Sequence, residues 1–303
     1  MSLGGDEYAL AFGDYSAVIT QVGAGLRVLR YGERDLVLSY RADEVRPRYR
    51  GALLAPWPNR IADGRYDFGG ATHQLPLTEP ERRTALHGLV CWERFDLIER
   101  DAASVTLEHR LVPRGGYPFP LRIRTAYRLD ERGLSCEVGT TNTGGEPAPY
   151  GVSTHPYLVA GPGGVDQWEL QVPAEQYLEV TPDRLLPTEL HSVEATAFDF
   201  RGGRGLADVV VDHAFTGLRA EQDGRVRARL KAENGSGVVC TWDPQLLGWL
   251  QLHTADLPDP QETRRGLALE PMTGPPDCFN SGTDLVTLEP GASHTASWTI
   301  GAL

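Results

Sequence analysis

Glycine and proline interrupt this chain 34 and 22 times in 303 residues, so few stretches run long enough to build an ordinary three-turn helix. Between the interruptions lie short runs in which apolar and polar residues alternate, the period of a strand with one buried face. In PLRIRTAYRL, Leu121, Ile123, Thr125, Tyr127 and Leu129 share one face and leave Arg122, Arg124 and Arg128 on the other. VRARLKAENGSGVVCTW reads as a hairpin turning at Asn234 to Gly237. GWLQLHTAD sets Leu250 and Leu252 against Trp249, Gln251 and His253, and this second face suits a polar ligand better than a core. The pattern predicts an all-β chain, a sandwich or a barrel, with a short helix around Glu79 to Arg83 as the main exception.

All-β proteins of this length often form one unit, and nothing here reads as a linker, so a single domain over residues 1–303 is expected. The net charge of -12 is spread along the chain, with 29 basic against 41 acidic residues, and leaves no basic field to hold a phosphate backbone. Nucleic acid is not an expected partner. No apolar run is long enough for a membrane-spanning helix, and MSLGGDEYAL has neither the basic start nor the apolar core of a signal sequence. A soluble, cytoplasmic protein without membrane contact is the expectation. Cys91, Cys136, Cys240 and Cys278 lie far apart, which fits reduced buried thiols rather than a zinc site or a disulfide scaffold.

Chemistry is expected where charged and aromatic residues meet strand ends. Glu270, in GLALEPMTGPPD, ends an apolar alternating run directly before a proline, where an unpaired acid is expensive without a purpose. Asp212 follows a similar run in VVVDHAF. His155, in STHPYL, precedes a proline that holds its backbone extended and so fixes the direction of the ring. Asn59 and Arg60 supply directed donors on a loop braced by two prolines, and His87 precedes Gly88 in TALHGLV. Each has a plain structural alternative: a turn-satisfying amide, a surface ion pair, or a histidine bonded to a carbonyl. His213 with His87 and His155 would give three metal-ligating side chains, but no ligand spacing supports a site, and neither metal nor cofactor is expected.

Taken in order, PNRIADGRYDFGG, LHGL, GYPFPL, THPYL, VDHAF and LEPMTGPPDCFNSG resemble the aldose 1-epimerase (galactose mutarotase) family, from about Asn59 to the final PGASHTASWTI. The resemblance implies a large antiparallel β-sandwich with a sugar cleft on one concave sheet. It implies Glu270 as general base, His155 as general acid, and Asn59, Arg60, His87, Asp212 and Gln251 as holders of sugar hydroxyls. Trp57 or Trp249 would stack on the apolar face of the ring. The chain departs from the family pattern with Trp57 where tyrosine is common and Leu158 where phenylalanine is common. The implied activity interconverts the α and β anomers of a small aldose, by a monomer or a homodimer. A hexose-6-phosphate epimerase, a catalytically silent sugar-binding protein and a glycoside hydrolase using Glu270 with Asp212 are the alternatives.

Overall fold

The computed structural model describes residues 2–303. Strands dominate it: 27 are formed, with two 3-10 turns and one four-residue helix, Cys278–Ser281. Leu121–Asp130 shows why, since its side chains alternate between buried and outward positions along the whole strand, as the sequence pattern requires. The hairpin expected around Asn234 is formed by Val226–Ala232 and Gly237–Trp242.

Two large antiparallel sheets face each other. One has nine strands and is centred on Leu121–Asp130, Gly133–Asn142, Ser293–Ala302 and Gly237–Trp242. The other has eight and is centred on Asp212–Thr216, Trp249–His253 and Leu267–Met272, with Ser153–Thr154 and Tyr157–Leu158 paired beyond them. One apolar cluster fills the space between, drawing Val138, Leu230 and Ile300 from the first sheet and Leu250, Leu252, Leu267 and Leu269 from the second. A β-sandwich is the result, and a barrel is excluded by the separate edges of the two sheets. All four cysteines are buried and free.

The helix expected at Glu79 to Arg83 is absent. The backbone N–H groups of Arg82 and Thr84 both donate to the Glu79 carbonyl, and Arg83 donates to Pro80, so the segment is a tight turn. Pairing of the following strand Thr84–Leu86 with Arg60–Ala62 captures the chain before a helix can propagate. The helix that does form sits in PPDCFNSG, too short to leave a periodic signal.

Candidate active site

Because Leu250 and Leu252 face the core, the residues between and beside them must face the opposite side of the eight-stranded sheet. The same holds for Glu270, which lies between the buried Leu269 and Pro271. Gln251 and Glu270 are directly paired across two neighbouring strands, and Asp212 is paired with His253 on the next. Three strands therefore deliver Asp212, Gln251, His253 and Glu270 to one patch. Glu270 does not end its strand as the sequence suggested; the strand continues through Pro271 to Met272. The proline is tolerated because position 271 pairs with Leu250 at a site where no ladder donor is required of it.

The remaining wall comes from loops bent into conformations that side chains seldom adopt. Arg48, Tyr49, Asn59 and His87 all line the cavity with positive φ, at 46°, 57°, 54° and 62°. Such strain concentrates at functional sites, where the surrounding fold enforces it. Here the enforcement is visible. The His87 N–H donates to the Asn59 carbonyl at 2.9 Å, and Arg60 N–H donates to Asn59 Oδ1 at 2.9 Å. Gly88 follows because any Cβ there would lie 2.2 Å from the Ala55 carbonyl oxygen.

The cavity has a volume of about 270 Å³. At its floor His155 Nε2 lies 3.4 Å from Glu270 Oε1, with both side chains almost fully buried. His155 is flanked by aromatic rings nearly parallel to its own, Tyr157 at 5.2 Å and Tyr49 at 6.3 Å, while His87 meets it edge-on at 5.0 Å. Gln251 donates to Asp212 Oδ1 at 2.7 Å. Arg60 reaches the cavity in a two-point ion pair with Glu79, at 2.7 and 2.9 Å, and Thr84 adds a third bond to that carboxylate.

Burial dominates the electrostatics. It raises the Glu270 carboxyl well above the ordinary carboxylate value, nearby Asp212 raises it further, and Arg60 opposes both. It also drives the His155 imidazole down to about 3, aided by His253. His87 is pushed well below its ordinary value by burial, then by His155 and Arg60. Both shifts favour the neutral forms, so burial favours a proton on the Glu270 carboxyl over one on the His155 imidazole. Among the described residues twelve buried side-chain polar atoms lack a hydrogen-bond partner, and five of them belong to residues that line this one cavity: His87 Nδ1, His155 Nδ1, Gln251 Oε1, His253 Nδ1 and Glu270 Oε2. Unsatisfied buried groups are rare and expensive, and a cluster of them is the mark of a place shaped for a polar ligand.

The aldose 1-epimerase family model matches residues 6–301. The chain belongs to the aldose 1-epimerase family. It is 38% identical to the uncharacterized protein YihR of Escherichia coli (strain K12), covering 97% of this chain and 92% of that protein. It is 29% identical to galactose mutarotase of Mus musculus, over 75% of this chain and 71% of the mouse protein. A galactose mutarotase-like protein from Clostridium acetobutylicum superposes with a TM-score of 0.86, covering 98% of each chain, at 18% identity that bears on the fold alone.

Seven of the nine residues singled out from the sequence line the cavity: Asn59, Arg60, His87, His155, Asp212, Gln251 and Glu270. The two tryptophans do not. The Trp57 indole is 2% exposed, donates to the Ala85 carbonyl at 3.2 Å and packs on Tyr117 and Phe279, so it is core. Trp249 shares the face of Gln251 but lies one pairing step away, under Leu178, Ala214 and Met272, with its N–H on Asp284. Arg48, Tyr49, Glu79, Tyr157 and His253 line the cavity without having been chosen. For His253 and Tyr157 the signal existed, in strand parity and in proximity to His155. For Arg48 and Tyr49 none did, because their placement depends on backbone angles that non-glycine residues do not advertise.

Proposed function

We propose that this protein interconverts the α and β anomers of a hexose by general acid and base catalysis at Glu270 and His155. The 3.4 Å contact between those two buried groups carries the proposal. The oxygens that must lose and gain a proton, the C1 hydroxyl and the ring oxygen, are bonded to the same carbon, so a base and an acid serving them must be near neighbours. A glycosidase needs its two carboxyls roughly 5 to 9.5 Å apart. Here the other carboxylates named at the cavity are already engaged, Asp212 by Gln251 and Glu79 by Arg60 and Thr84.

In the working form Glu270 is ionised and His155 protonated. This form differs from the resting one only by passage of the shared proton across the contact, with no change of net charge. Glu270 takes the hydroxyl proton from O1 while His155 gives its proton to the ring oxygen. The C1 to ring-oxygen bond breaks, C1=O1 forms, and an open-chain aldehyde results. Rotation about C1–C2 presents the other carbonyl face. Attack by the C5 hydroxyl then returns one proton to His155 and one from Glu270 to O1. Arg60, Asn59, His87 and Gln251 orient the remaining hydroxyls, and Arg60 favours the ionised carboxylate.

Arg48 supports a second reading. It lines the cavity, is exposed, and makes no ion pair among the described residues, whereas Arg60 is held by Glu79 and Arg83 by Asp63. A free guanidinium at the mouth suits an aldose with an anionic substituent such as a phosphate ester. Proton NMR of the anomeric signals of freshly dissolved α-D-glucose, α-D-galactose and glucose 6-phosphate separates the cases. Accelerated equilibration that disappears in Glu270→Gln is expected. Preference for the phosphorylated sugar, lost in Arg48→Ala, would move the assignment to the anionic substrate, and no acceleration of any sugar would overturn it.

A further inference from the structure

Five of the six tryptophans are 5% exposed or less, and the sixth, Trp92, is 49% exposed. That exception is placed next to the cavity. The Tyr49 ring, which lines it, lies 4.7 Å from His87 on one side and 5.9 Å from the Trp92 indole on the other. Trp92 is also fixed in place. The Arg46 guanidinium sits 5.3 Å from its ring centroid, and Arg46 is itself anchored to the Cys91 carbonyl at 2.7 Å and to the Val22 carbonyl. Arg46 is 6% exposed, so its charge is satisfied from beneath the indole rather than by solvent. The result is a braced aromatic face, open to water, one ring beyond the cavity.

We propose that Trp92 is a second sugar subsite, which stacks the next ring of a reducing disaccharide whose reducing end occupies the cavity. The inference rests on the mutarotase reading for the identity of the cavity, but not for the existence of the subsite. An exposed indole leaves a large apolar surface in water, and the C–H face of a pyranose matches it in size and polarity. The hydroxyl edge of the same ring would stay solvated, which suits an open position at the rim. A cavity of about 270 Å³ has room for one hexose ring and not two, so a longer substrate must leave it somewhere. The row His87, Tyr49, Trp92 marks a continuous aromatic exit.

Two readouts test the subsite. Anomeric exchange by NMR gives kcat/KM for maltose, lactose and melibiose relative to glucose and galactose. Trp92→Ala is expected to lower the disaccharide-to-monosaccharide ratio roughly ten-fold for at least one linkage, the worth of one stacked aromatic face, and Trp92→Phe to restore most of it. Acrylamide quenching of tryptophan fluorescence reports Trp92 selectively, because it is the exposed indole, and the same disaccharide is expected to protect it where the monosaccharide does not. Turnover of monosaccharides with an unchanged ratio and no protection would overturn the subsite and leave the mutarotase reading intact. Protection by a disaccharide without turnover of any sugar would retain the subsite and overturn the mutarotase reading.

Discussion

The two large sheets each carry a hollow lined with charged residues, and the larger hollow is the one whose charges stay in water. On the outward face of the nine-stranded sheet a depression of about 710 Å³ is bordered by Arg128, Arg132, Glu137, Asp223 and Arg227. Its acids and bases are solvated and largely matched: Arg132 with Asp130 at 2.6 Å, and Arg227 with Glu221 at 2.8 Å and with Asp223. On the eight-stranded sheet the smaller cavity holds Glu270, His155, His87 and Gln251, buried and incompletely bonded. Volume does not separate the two faces, and neither does charge. What separates them is whether a polar group has been taken out of water without compensation, since only then is it primed to act on something else.

The contrast is broken most severely by removing either member of the buried pair. Glu270→Gln and His155→Asn are each expected to lower kcat by roughly 100-fold to 10,000-fold. The double variant should lose little more, because each group is useless without the other. Circular dichroism should show an unchanged fold; near-wild-type turnover in either single variant would remove that residue from the chemistry. The pH profile follows from the same pair. The proposed mechanism needs one proton shared between the two groups, so activity should fall in acid as a second proton reaches His155 at about 3, and fall again in base as the last proton leaves the raised Glu270 carboxyl. A plateau between those limits is expected in kcat/KM, and a profile rising steadily to high pH would contradict the pair.

Next in size is Glu79. Burial alone would raise its carboxyl, yet bonds from Arg60 and Thr84 and the charge of Arg82 hold it below the ordinary value. Glu79→Gln keeps one acceptor and removes the charge that fixes Arg60. We expect kcat/KM to drop roughly ten-fold, mostly through KM, with a loss of about 1–3 kcal/mol in urea-induced unfolding. An unchanged KM would show that Arg60 needs no such support.

Much of this was legible in the residues, and the failures have physical causes. Strand parity alone placed Gln251 and His253 on one face, and register then had to bring them beside Glu270 and Asp212. The order of short motifs identified the family before any geometry was known, since the ordered set is far more specific than any one piece. Trp57 and Trp249 were misplaced because a large aromatic near a site motif looks alike whether it faces the cavity or the core. The wall built by Arg48 and Tyr49 was invisible because a left-handed backbone at a non-glycine residue is imposed by tertiary contacts. Trp92 carried no sequence signal at all; its meaning comes from exposure, which is a property of the fold.

A subtler test concerns stability. The folded state holds the Glu270 proton to a higher pH than the unfolded chain does, so this group costs stability increasingly as pH rises above the ordinary carboxylate value. His155 acts in the opposite window: its depressed value means stability is lost as pH falls below the ordinary histidine value towards about 3. Glu270→Gln should therefore raise Tm by roughly 2–4 °C at pH 8 and lose that gain near pH 4.5, while His155→Asn should help only on the acid side. Differential scanning calorimetry across pH reads both, and a Tm difference independent of pH would refute the linkage.

The smallest effect is expected on the outer face, where the charged groups remain in water. Arg227→Ala removes contacts to both Glu221 and Asp223, and Asp223 is held down to about 2, first by its bond from Arg227. That low value does not translate into much stability, because an exposed carboxylate that loses its partner regains water, and salt already screens the pair. Tm should fall by less than roughly 2 °C at low salt, by still less at 1 M salt, and mutarotation should be unaffected. A large loss of activity in Arg227→Ala would mean that the wider hollow has a function, and that incomplete bonding of buried groups is not what distinguishes the two faces.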